Sequence, residues 1–208
     1  MKNVKLFCLV LFSFILSLSL LGTAYAGVPT DQVRQTVDKV LDILNNKELK
    51  KPGKSKERRT AIRKAVGEKF DFEEMAKRSL ALHWKQRTPE EKKEFVSLYS
   101  NLLERSYIKK IETYTDEKII YTDEKIDDGY AVVKTKIITK RNVEIPIEYK
   151  LLKKKNNKWD VYDVVIESVS LVNNYRNQFS KIIRANSYEQ LVKRMKNKQD
   201  EELFGEKQ

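Results

Sequence analysis

Beyond position 8 the chain contains no cysteine, and Cys8 itself lies in an apolar leader at the start. A disulfide scaffold and a thiol nucleophile are therefore excluded from all that follows it. Histidine is nearly as scarce, with His83 alone. No His-x-x-x-His pair, paired cysteines or dense acidic loop can build a metal site, and Asp123-Glu124 and Asp127-Asp128, which flank a turn, lack the EF-hand pattern. The six glycines never form a G-x-x-x-x-G-K loop, so no ATP-binding cradle is present. After residue 26 no stretch is apolar enough to span a bilayer.

The leader has the three parts of an export signal. Lys2 and Lys5 come first, an apolar run follows from Leu6 to Leu21, and Ala24-Tyr25-Ala26 closes it. Cleavage is expected after Ala26. The alternative is an uncleaved anchor, against which Ser13, Ser17 and Ser19 dilute the run. Lys5-Leu6-Phe7 do not supply the small residues that a lipoprotein site needs before Cys8. Cleavage leaves 182 of the 208 residues and lowers the formal charge from +12 to +10, because the leader carries two lysines and no acid. That length suits one domain, expected over 27–198, followed by a frayed charged tail at 199–208. The positive balance favours anionic partners. Lys50-Lys51, Arg58-Arg59 and Lys153-Lys154-Lys155 are interleaved with acids along the chain, which suits solubility or docking to anionic lipid or acidic protein better than an exported nucleic-acid surface.

Helical spacing opens the domain at Thr30 or Asp31 with Val33, Val37, Val40, Leu41 and Leu44. Pro52-Gly53 mark a polar loop, a second helix spans Ser55–Val66, and a third starts at a capping Asp71. Thr88-Pro89-Glu90-Glu91 start a long helix whose apolar stripe includes Phe95, Leu98, Tyr99, Leu102, Leu103, Ile108 and Ile111. Four strands are expected at Lys118–Ile126, Tyr130–Lys140, Val143–Lys153 and Trp159–Glu167, joined by connections too short for parallel crossovers. Helical spacing returns from Val169 through Phe179 and Ile183, then in a charged helix from Ser187 to about Asn197. The order predicts an α+β domain: a twisted antiparallel sheet of about four strands with helices packed on one face.

Chemistry is thinly supplied. His83 beside Trp84 could act as a general base, but no nucleophile motif accompanies it, and a packing role is the plainer reading. Val143, Ile145, Ile147, Tyr149 and Leu151 alternate along one expected strand, and Tyr162, Val164 and Ile166 along another. Such a face either fills an ordinary core or lines an internal ligand cavity.

Two blocks carry a resemblance. The first is Asp71-Phe72-Glu73-Glu74-Met75-Ala76-Lys77-Arg78-Ser79-Leu80, continued by His83-Trp84, Thr88-Pro89-Glu90 and Glu94-Phe95. The second is Trp159-Asp160-Val161-Tyr162-Asp163-Val164-Val165-Ile166-Glu167, running into Val169-Ser170-Leu171-Val172, Asn174-Tyr175-Arg176 and Gln178-Phe179. Together they make the chain similar to the MlaC, or toluene-tolerance, family over nearly all of the expected mature domain. Family members usually have glycine where this chain has Ala81 and Ser168, so the local turns are expected to differ slightly.

The resemblance implies an NTF2-like fold enclosing an apolar cavity. It further implies a periplasmic phospholipid carrier, monomeric and not an enzyme, with bound phospholipid as cargo and no cofactor or metal. It would shuttle lipid between an inner-membrane ABC transporter with an MCE-domain protein and an outer-membrane lipoprotein–porin complex, maintaining outer-membrane lipid asymmetry. Candidate lining residues are Val133, Ile137, Ile147, Tyr149, Tyr162, Val164 and Ile166 from strands. Phe72, Met75, Leu80, Leu103, Tyr107, Val169, Val172, Tyr175 and Phe179 would join them from helices. Each could equally be plain core. Arg78, Arg105 and Arg176 are candidates for headgroup or partner docking, since a guanidinium matches phosphate geometry, with a surface ion pair as the alternative. Two other functions stay open: an exported NTF2-like enzyme using His83, and a lipid-free envelope adaptor.

Overall fold

The computed structural model describes residues 28–114 and 117–197. The expected leader, its cleavage site and the tail at 199–208 lie outside the described residues.

Helix α1 (Val28–Asn45) is followed by a turn-rich polar segment, α2 (Ser55–Gly67) and α3 (Phe72–Leu80). A 3-10 turn (Ala81–Gln86) leads to the long α4 (Pro89–Glu112). Strands β1 (Lys118–Asp127), β2 (Tyr130–Ile138), β3 (Glu144–Lys153), β4 (Trp159–Ile166) and β5 (Val169–Ser170) come next, and α5 (Leu171–Ala185) and α6 (Tyr188–Lys196) complete the fold. The sheet is an antiparallel meander in the order β1-β2-β3-β4-β5. The four-strand expectation thus gains a two-residue fifth strand, and α5 starts at Leu171 rather than at Val169.

Local chemistry fixes the helix starts. Asp71 accepts from the Glu74 N–H at 2.9 Å, and Ser170 and Ser187 cap α5 and α6 in the same way. Thr88 and Glu91 form a reciprocal capping box at α4. Ala81 and Ser168 take positive φ, 50° and 69°. L side chains therefore occupy a positive-φ backbone at both positions, a conformation that suits glycine. Pro146 fits in β3 because its carbonyl faces Glu167, just after β4 has ended, so its missing N–H breaks no ladder bond there.

Two elements brace the sheet. On one side of β4 the segment before α3 adds a parallel bridge, with Val161 donating to Lys69 O at 2.9 Å and accepting from the Asp71 N–H at 2.8 Å. Buried Asp163 accepts from the Ser170 hydroxyl at 2.7 Å and the Val172 N–H at 3.1 Å, which ties β4 to the start of α5. From α1, Gln32 accepts from the Trp159 N–H and from the Lys69 ammonium.

Candidate functional site

The inner face of the sheet changes character along its length. At the end where β2 starts, Ala131, Val133, Leu151 and Val161 are sealed, none more than 2% exposed. At the other end Ile137, Ile145 and Ile166 are only half-buried, as is Tyr149 nearer the sealed end, although they belong to the same apolar cluster. Val37 on α1, Leu98 and Tyr107 on α4, and Ile182 and Ile183 on α5 are likewise half-buried against the same cluster. One end of the interior is closed core; the other is apolar surface that the fold leaves partly open.

Tyr149, opposite sealed Val133, stands where the closed part of the sheet gives way to the open one. Part of its side chain is accessible, yet the surrounding protein pushes its phenol up to about 12, against a hydrogen bond to Thr135 that acts the other way. Dense surroundings thus raise its pKa even though the residue is not fully sealed.

The helices form a second, closed region. The Phe95 and Phe179 rings meet edge to face at 5.6 Å, as do Tyr99 and Tyr175. Burial drives the Tyr99 phenol well above its ordinary range, while its oxygen pairs with the Ser79 hydroxyl at 3.1 Å. Tyr175 pairs with Ser106 at 3.2 Å.

These two regions divide the expected lining residues. Met75, Leu80, Val133, Val172, Tyr175 and Phe179 are sealed in the closed core, and Leu103, Ile147 and Val164 are nearly so. Phe72, Tyr107, Ile137, Tyr149 and Ile166 are half-buried. Two assignments are corrected. Tyr162 does not share a face with Val164 and Ile166, because a β-bulge leaves it between the pairs Leu151–Val161 and Lys150–Asp163. It packs instead on exposed Tyr130, at 6.0 Å between rings. Val169 lies in β5 rather than a helix and is 45% exposed, because the tight turn at Glu167 and Ser168 carries it to the surface.

Tyr121 and Ile145 were not among the expected lining residues, for different reasons. Tyr121 precedes a bulge at Thr122 that breaks the period of β1, and it faces Thr135 across the ladder. Ile145 was visible in the alternation of β3 but stands at the strand's outer end, opposite Ile137.

Of the arginines, Arg78 and Arg176 come together and Arg105 does not join them. Arg176 donates from Nε to the Arg78 carbonyl at 2.8 Å. The Arg78 guanidinium lies 4.1 Å over the Tyr162 ring and pairs with Glu74 at 2.8 Å. Arg105 points to α6, donating to Met195 O at 3.4 Å.

A polar depression of about 650 Å³ beside α1, lined by Val28, Asp31, Gln32, Gln35, Lys69, Lys155 and Lys158, is separate from the apolar interior. Burial lowers the Lys69 pKa there, and its ammonium is spent on Gln32 and the Trp159 carbonyl. His83 sits half-buried in the 3-10 turn, where its carbonyl accepts from Arg87; among the described residues no carboxylate pairs with its ring. Among the same residues no cluster of His, Cys, Asp and Glu could hold a metal, and no helix is long and apolar enough to cross a membrane.

Comparison with known proteins agrees with this geometry. The family described as MlaC protein matches residues 34–197. The intermembrane phospholipid transport system binding protein MlaC of Haemophilus influenzae is 22% identical over 167 residues, covering 78% of each chain. A phospholipid-binding protein from Ralstonia solanacearum, solved in complex with a phospholipid, superposes with a TM-score of 0.71 at 24% identity, covering 79% of this chain and 93% of that one.

Proposed function

The chain belongs to the MlaC family, and from that premise we propose that it is a periplasmic phospholipid carrier that holds acyl chains between the inner face of the sheet and the helices. The observation that carries this reading is the half-buried apolar end of the sheet at Ile137, Ile145 and Ile166. The Ralstonia solanacearum protein, whose fold is the same, was solved holding a phospholipid.

The physics sets the requirement. Roughly 30 methylenes on two chains, at about 0.8 kcal/mol each, represent about 24 kcal/mol that must be kept from water during a crossing. A sealed core cannot exchange such a load, and an exposed apolar face cannot shield it. An interior closed at one end and open at the other can do both. Because the bound state resembles the membrane interior, net transfer is close to balanced, and direction has to come from partners with different affinities for the loaded and empty forms. In this reading those partners are an inner-membrane ABC transporter with an MCE-domain protein and an outer-membrane lipoprotein–porin complex, and the result is maintained outer-membrane lipid asymmetry. Phe72, Tyr107, Ile137, Tyr149 and Ile166 line the chains, and Arg78 and Arg176 form the headgroup or partner-docking pair.

Organic extraction of the purified protein followed by mass spectrometry should release phospholipid at close to one molecule per chain. Lipid-free protein that also takes nothing from vesicles would overturn the proposal.

A further inference from the structure

Tyr121 is the buried polar group on the inner face that the fold leaves unanswered. Its hydroxyl has essentially no accessible surface and no hydrogen-bond partner. Nearby polar groups are engaged: Thr135, its ladder partner, bonds the Ile147 carbonyl at 3.4 Å, and Tyr149 bonds Thr135. The position of the ring is well determined. The bulge at Thr122 shifts the ladder register immediately after it, and the Arg34 guanidinium of α1 lies 4.1 Å over its face. A buried donor without an acceptor is costly, and natural structures retain one only where something else answers it.

We propose that the Tyr121 hydroxyl donates to an ester carbonyl of the bound phospholipid, which makes the carrier selective for ester-linked over ether-linked chains. This deepens the lipid-carrier reading and rests on it. The donor is neutral, and the next pair on its face of the sheet is Ile119–Ile137. The Arg34 guanidinium lies over the ring face and does not hydrogen-bond the hydroxyl, so a phosphate brought to that depth would exchange its hydration for a single neighbouring cation. An ester carbonyl is a neutral acceptor at the junction of chains and headgroup, so it reaches such a donor once the interior parts around the chains. Burial raises the Tyr121 pKa, with Tyr149 and Asp38 acting in the same sense against Arg34, so the hydroxyl keeps its proton and remains a donor.

The test uses the full chain with two probes, a diacyl phosphatidylglycerol and its dialkyl ether analogue, which share headgroup and chain length. Competitive loading of the wild-type protein should favour the ester by about tenfold, the weight of one hydrogen bond. In Tyr121→Phe the preference should fall below about twofold, while the lipid-free protein melts at the same or a higher temperature because the orphaned donor is gone. Equal uptake of both lipids by the wild type overturns this donor and leaves the carrier reading standing; it requires no variant, so a misfolded Tyr121→Phe does not rescue the idea. Uptake of neither lipid overturns both.

Discussion

Glu112, the last residue of α4, holds Arg58 of α2 through two hydrogen bonds to one carboxylate oxygen, Nε at 3.1 Å and Nη2 at 2.8 Å. Its second oxygen holds Arg59 in the same manner, and Arg58 also reaches the Leu49 carbonyl. One carboxylate thereby fastens α2 and the polar segment before it to the end of the long helix. Desolvation opposes its charge, but the two arginine pairs outweigh that, and the Glu112 pKa lies below its ordinary 4.5. A depressed carboxylate contributes stability above its unfolded pKa and loses it as pH falls through the folded value. Glu112→Gln should cost about 1–2 kcal/mol at neutral pH, discounted because Arg59 is partly exposed. The gap between the two melting temperatures should narrow as pH falls below about 4.5 and close once it passes the folded-state value. Melting curves from pH 7 downward check this, and a gap independent of pH would refute the assignment.

Ala81 and Ser168 make a second prediction with the opposite sign. Ala81 has φ 50° and ψ −120°, a region that suits glycine, and Ser168 follows Glu167 in a turn where both residues have positive φ. Relief of this strain offsets the extra chain entropy that glycine brings. Ala81→Gly should stabilise by about 1 kcal/mol, and Ser168→Gly, in the easier left-handed region, by about half as much. Chemical denaturation of the single variants decides it; a loss of stability in Ala81→Gly would mean that its methyl packs favourably enough to justify the strain.

The residues that announced the fold were those whose chemistry is local. Asp71, Thr88 and Ser187 cap their helices through neighbours three residues away, so these starts could be read without any tertiary knowledge. Short turns such as Asp128-Gly129 likewise specified the meander, and its ladder runs in the expected antiparallel order. Tyr162 and Tyr121 were misread or missed because each adjoins a bulge, which inserts a residue and reverses the facing that strict alternation assigns. Which apolar residues are sealed and which half-buried was not legible at all. Phe179 and Ile166 look alike in sequence, and only packing across four helices seals one and leaves the other partly open.

That difference can be measured. Phe179→Ala empties a site at the centre of the aromatic cluster and should destabilise the fold by about 3–5 kcal/mol. Ile145→Asn, at the half-buried end, should cost under about 1.5 kcal/mol but lower phospholipid retention at least tenfold, because an amide is placed where acyl chains lie. Lipid retained per folded molecule after gel filtration, set beside thermal melting, separates the two effects. If Ile145→Asn keeps its lipid, the chains do not run along this end of the sheet.

Arg78 and Arg176 differ from the solvated lysines because each is partly covered and tied to the other's backbone or to a ring. Arg78, stacked on Tyr162 and hydrogen-bonded to Glu74 and Tyr130, is held in position with its side chain still partly exposed, an arrangement suited to a guanidinium and unavailable to an ammonium. If the pair attracts headgroups or an acidic partner, its contribution depends on ionic strength, since the screening length falls from about 10 Å at 0.1 M salt to about 3 Å at 1 M. The Arg78→Ala, Arg176→Ala double variant should extract lipid more slowly than wild type from anionic vesicles in low salt, by about three- to tenfold. The two proteins should converge at 1 M salt, and on neutral vesicles they should differ little at any salt concentration. Arg78→Lys should recover only part of the rate, because it restores the charge without the stack. An equal slowing on anionic and neutral vesicles, unaffected by salt, would assign both arginines to the packing of α3 against α5 and leave docking to other residues.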